Sequence, residues 1–134
     1  MNASGEQQLT NSDQVREFIA AFNRRDIDAI VAFFAEDAVY HSMPLAPLQG
    51  RVTIRAAIQG FVTPARQVDW QLLGIAQTEA GTVLTERVDR FLMADTWVAL
   101  PVMGAFEFRD GQIAAWRDYF DMNQFTSQLP GSSS

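Results

Sequence analysis

Between Phe61 and Val68 the apolar residues of this chain change their spacing from the period of a helix to the period of a strand, and the strand mode persists almost to the end. Upstream, Val15, Phe18, Ile19 and Phe22 fall on one helical face behind an N-cap expected at Asn11 or Ser12. Asp26 is placed to cap a second helix carrying Ile27, Ile30, Val31 and Phe34, ending at Ala35-Glu36-Asp37. A short extended stretch, Ala38 to Ser42, follows, and two prolines keep Met43 to Gly50 irregular. A third helix presents Ile54, Ala57, Ile58 and Phe61. Downstream, Val68 to Leu72 alternates, Val83 to Met93 is β-rich, and Trp97 to Phe108 is a long apolar run ending at the turn Arg109-Asp110-Gly111. Gln112 to Phe120 closes a hairpin, and Asp121 to Gln128, free of glycine and proline, suits a last short turn of helix. Helices first and a meander of strands afterwards predict an α+β fold, with the helices on one face of a curved, mostly antiparallel sheet.

With 134 residues, 48% of them hydrophobic, the chain suits a single domain, expected over residues 11–128 between disordered ends at 1–10 and 129–134. The absence of cysteine removes thiol nucleophiles and thiolate metal sites, and a lone histidine, His41, excludes multi-histidine clusters. All ten basic side chains are arginine, so Schiff-base chemistry through lysine is excluded too. A net charge of −6 without a basic cluster argues against nucleic acid and anionic membranes, and the polar start of the chain argues for a cytoplasmic protein. Any catalyst here must use carboxylates, hydroxyls and arginine, and a neutral, fairly apolar small molecule fits best as a partner.

Two charged motifs interrupt the apolar strands: Thr85-Glu86-Arg87-Val88-Asp89 and Trp116-Arg117-Asp118-Tyr119-Phe120-Asp121. Alternation points Arg87 and Asp89 the same way, about 7 Å apart, and sets Asp118 on a face with Trp116 and Phe120. If the two strands are neighbours, one arginine lies between two aspartates. Taken alone, such a pair is more often a structural ion pair than a catalyst. Glu86, Arg117 and Asp121 fall on the opposite faces, and His41 faces away from Tyr40 and Ser42. A curved sheet cannot fill its own concave face, so Phe91, Leu100, Val102 and Phe120, with Phe61 from the third helix, are expected to line a pocket.

These motifs, together with Phe34-Ala35-Glu36-Asp37-Ala38-Val39-Tyr40, Met43-Pro44-Leu45 and Gly50-Arg51, resemble the limonene-1,2-epoxide hydrolase family. The resemblance implies the cone-shaped fold of nuclear transport factor 2 and ketosteroid isomerase, with a deep pocket inside a bent sheet. It implies that Asp118 is a general base on water, Asp89 the acid that protonates an epoxide oxygen, and Arg87 the bridge between them. Tyr40 matches a tyrosine that holds the water, and Ser42 stands where the family has an asparagine. The implied partners are a small apolar epoxide, water, and a second copy of the chain. An epoxide-opening cyclase, an isomerase of the ketosteroid type, and a non-enzymatic carrier remain alternatives.

Overall fold

The computed structural model describes residues 9–131; the disorder expected of the ends falls, for residues 1–8 and 132–134, outside the described residues. Helix α1 (Asn11–Asn23) is capped by Thr10, not by Asn11 or Ser12: the Thr10 hydroxyl accepts the Asp13 N–H at 3.0 Å. Asn11 and Ser12 instead tie the helix to the sheet, through the Gly81 carbonyl and the Gln77 side chain. Asp26 caps α2 (Ile27–Ala32) as expected, but this helix stops short of Ala35-Glu36-Asp37. Phe34 opens strand β1 (Phe34–Ser42), because the sheet claims the backbone there: the Phe33 carbonyl accepts the Ile113 N–H at 2.8 Å, and Arg51 donates to the Phe34 carbonyl. Tertiary pairing outweighs the local helical period.

After the two-residue strand β2 (Leu48–Gln49), Gly50 turns the chain at φ +92°, a left-handed conformation that disfavours side chains, and launches α3 (Arg51–Val62). The remaining elements are β3 (Ala65–Gln77), β4 (Val83–Met93), β5 (Thr96–Arg109), β6 (Gln112–Tyr119) and the short α4 (Met122–Thr126). They complete one open six-stranded sheet in the order β2-β1-β6-β5-β4-β3. Pairing is antiparallel throughout except between β1 and β6, which run parallel with Tyr40 opposite Trp116 and Ser42 opposite Asp118.

The core fills one end of the concave face. Phe18 of α1 sits in a cage of ring edges from Phe22, Phe33, Phe34, Phe106 and Trp116, at centroid distances of 5.1 to 5.8 Å. Trp116 is fully buried and stacks on Tyr40 at 4.1 Å and Phe106 at 5.6 Å. The phrase around Asp37 is structural: Asp37 pairs with Arg109 at the surface. No helix among the described residues is long and apolar enough to cross a membrane.

Candidate active site

The part of the concave face that α1 does not cover is a cavity of about 240 Å³ between the sheet, α3 and α4. Its walls are hydrocarbon and aromatic: Phe61, Phe91, Leu100, Val102 and Phe120 all line it, joined by Leu45, Trp70, Met93, Met122 and Phe125. Polar groups enter at one end only, as Tyr40, Ser42, Asp89 and Asp118.

Beneath that end lies Arg87, whose side chain is 0% exposed. All five of its N–H groups find acceptors. Nε donates to Asp89 Oδ1 at 2.9 Å, and Nη2 to Asp89 Oδ2 and Asp118 Oδ2, both at 2.8 Å. Nη1 donates to Asp118 Oδ1 at 3.2 Å and to the Thr85 hydroxyl at 3.1 Å. Because one nitrogen serves both Oδ2 atoms, these cannot lie more than twice 2.8 Å apart. The Trp116 indole N–H adds a 2.7 Å bond to Asp118 Oδ1, so Asp118 accepts three hydrogen bonds and Asp89 two. On the far side the guanidinium stands 4.9 Å from the Trp70 ring centre, a cation–π contact in a dry setting.

The strands carrying the two motifs are not neighbours, contrary to the simplest way of bringing them together. β5 runs between β4 and β6, and the arginine reaches across it.

Burial pushes the Asp89 carboxyl up from 3.8 to about 6; the Arg87 charge and hydrogen bonds oppose the rise, and the Asp118 charge adds to it. Burial acts to lower the Arg87 value, but the charges of Asp118 and Asp89 more than offset this, so it stands above its ordinary value and the group is a permanent cation. Burial, then the Asp118 charge, raise the Tyr40 phenol well above its usual range, which keeps it a neutral hydroxyl. Ser42 donates to Tyr40 Oη at 3.1 Å, while Met43 N–H donates to the Asp118 backbone carbonyl at 2.8 Å, locking β1 against β6. The site thus couples a fixed cation, one readily protonated carboxyl, a second carboxyl with three donors, and two neutral hydroxyls beside an apolar space. Among the described residues, no group of three or more metal-ligating side chains is assembled.

A family model described as the limonene-1,2-epoxide hydrolase catalytic domain matches residues 9–131. The chain belongs to the limonene-1,2-epoxide hydrolase family. As a member of that family it is an epoxide hydrolase. It is 32% identical over 121 residues to epoxide hydrolase EphG of Mycobacterium tuberculosis, covering 87% of this chain and 78% of that one. Among solved structures it is similar to an LEH-like epoxide hydrolase of M. tuberculosis, with 28% identity, a TM-score of 0.77, and 89% and 88% of the two chains covered. A protein of ketosteroid isomerase-like fold from Catenulispora acidiphila, in complex with trimethylamine, superimposes at a TM-score of 0.76 with 20% identity over 90% and 95% of the chains. That last likeness shows the fold alone.

The remaining polar residues singled out in the sequence lie outside the cavity. Asp121 caps α4, Arg117 pairs with Glu107 on the outer face, Glu86 is exposed, and His41 donates through Nε2 to the Leu45 carbonyl at 2.9 Å. Sequence reasoning missed Thr85, the Trp116 donor and Gly104. The signals were there: Thr85 and Trp116 each sit two residues before a charged partner, on the same strand face, and a lone glycine inside a strand marks a close approach.

Proposed function

We propose that this epoxide hydrolase adds water to a small apolar epoxide in one step, with no covalent enzyme intermediate. The observation that supports it is the pair of carboxyls at the edge of an apolar cavity, bridged by one fully buried guanidinium. Asp118 takes a proton from water as the water oxygen bonds to an epoxide carbon. The carbon–oxygen bond of the ring breaks, and Asp89 gives its proton to the departing oxygen, leaving a vicinal diol. Proton return from Asp118 to Asp89, through solvent, resets the site. Arg87 orients both carboxyls and remains charged, while Tyr40 and Ser42 hold the water beside Asp118. Two positioned proton transfers of this kind contribute about 10² to 10⁴ each in rate. Phe61, Phe91, Leu100, Val102 and Phe120 supply the apolar surface that holds the substrate's carbon skeleton, and no cofactor takes part.

Turnover of cyclic and aryl epoxides in ¹⁸O-labelled water tests this reading. The first turnover, with enzyme in excess, puts ¹⁸O in the diol if water attacks directly, and unlabelled carboxylate oxygen if an aspartyl ester forms. A cyclase reading, in which a substrate hydroxyl replaces water, gives a ring ether and no label. We also propose a homodimer through the outer sheet face, where Met103 and Tyr119 pair across strands and, with Leu73 and Leu84, remain exposed. Light scattering at micromolar concentration tests it.

A further inference from the structure

Arg87 and Asp118 meet although a whole strand separates them. At the usual spacing of about 4.8 Å between strands, the backbones of β4 and β6 are roughly 9.6 Å apart. On the inner face, Thr85, Gly104 and Asp118 form one rung across β4, β5 and β6. The Arg87 guanidinium leaves the next rung, passes over Gly104, and closes on Asp118. A methyl group at position 104 would lie 2.5 Å from Arg87 Nη1, 2.8 Å from Asp118 Oδ1 and 2.9 Å from Thr85 Oγ1.

Gly104 is not among the glycines with positive φ, so its backbone does not need glycine. Elsewhere in a strand interior glycine weakens the element and alanine would be preferred. None of the three crowded atoms can retreat without losing a bond. Nη1 already serves Thr85 and Asp118, and Asp118 Oδ1 is also held by Trp116 at 2.7 Å. We propose that Gly104 is a positioning residue: its missing side chain is the passage through which Arg87 couples the acid on β4 to the base on β6. The effect on turnover rests on the acid–base reading above, whereas the effect on folding rests on the geometry alone.

The test is Gly104→Ala, alone and combined with Arg87→Met, which removes Nη1 but keeps an apolar stem. Alone, Gly104→Ala should lower kcat for epoxide opening at least about 10-fold, as expected when a catalytic group is displaced, with KM within about threefold, because Gly104 lies off the cavity wall. It should also lower Tm by about 4 °C or more. In the Arg87→Met background the same alanine should cost less Tm than it does alone, since the nearest of the three crowded atoms is gone and the other two have lost a partner that held them. If Gly104→Ala does not fold alone but the double variant does, the passage is supported. An equal Tm loss in both backgrounds, failure to fold in both, or wild-type kcat and Tm for the single variant, overturns it. A protein that opens no epoxide yet shows the expected Tm cycle keeps the positioning role and refutes the hydrolytic reading.

Discussion

Replacing Arg87 with methionine separates the charge of the bridge from its bulk, and the structure fixes what should follow. The guanidinium is the only cation touching Asp89 and Asp118 among the described contacts, and all three side chains are buried. Removing one member of a buried ionic group costs about 3 to 5 kcal/mol, chiefly because the remaining charges are stranded. For a chain of 134 residues the unfolding entropy near Tm is roughly 0.28 kcal/mol/K, so the expected loss is about 11 to 18 °C at neutral pH. The sign of the pH dependence is diagnostic. Burial already raises the Asp89 carboxyl and the Arg87 charge opposes the rise, so without Arg87 its folded pKa stands further above its unfolded one, and stability is retained at low pH and lost as pH rises through the folded value. Thermal melts of wild type and Arg87→Met from about pH 8 down to about pH 5 should therefore converge. A deficit that stayed constant over that range would mean lost packing, and a deficit under about 4 °C at pH 8 would remove the bridge from the account of stability.

Asp118→Asn and Asp89→Asn should each lower kcat by about 10² or more without unfolding the chain, because the amide keeps shape but cannot exchange the proton; a variant retaining a tenth of wild-type kcat would show that the pair is misassigned. Asp89 must be protonated to act as an acid and its pKa lies at about 6, so kcat/KM should fall about tenfold per pH unit above that value, and a flat profile through pH 8 would contradict the role. Ser42→Ala should depress hydrolysis and Ser42→Asn should keep or raise it, as the longer amide can also hold the water; unchanged rates for both Ser42→Ala and Tyr40→Phe would place the water elsewhere.

What the sequence made legible was what depends on near neighbours. Val83 to Met93 is strand β4 to the residue, since alternation and β-branched content agree there with the burial the sheet imposes. The same local logic set Arg87 beside Asp89 and Asp26 at a helix start. The end of α2 was not legible, because Phe34 continues the helical spacing and only its pairing with Ile113, far along the chain, pulls it into a strand. The meander order was legible, since the turn Arg109-Asp110-Gly111 folds Gln112 to Phe120 back on Trp97 to Phe108 and so sets that strand between the two motifs; the parallel pairing of β1 with β6 was not, and nothing in the motifs themselves assigns Gly104 its place. Trp116 was read as aromatic surroundings for Asp118, but its N–H is a hydrogen-bond donor to that carboxylate, a distinction of atoms that residue patterns do not carry.

The parallel pairing of β1 with β6 also bears on how the protein acquires its activity in time. Tyr40 and Trp116 are register partners from opposite ends of the fold, and between them lie α3 and three strands of the meander. Closing so long a loop is a late, entropically costly event, whereas the hairpins β3–β4 and β4–β5 can form from local contacts. Arg87 and Asp89 can therefore come together early, but the hydroxyls of Tyr40 and Ser42 join Asp118 only when the two ends zip side by side. Recovery of turnover during refolding should follow the slowest phase, and a nascent chain that has not yet released β6 holds Arg87 and Asp89 without Asp118, so on the proposed mechanism it opens no epoxide.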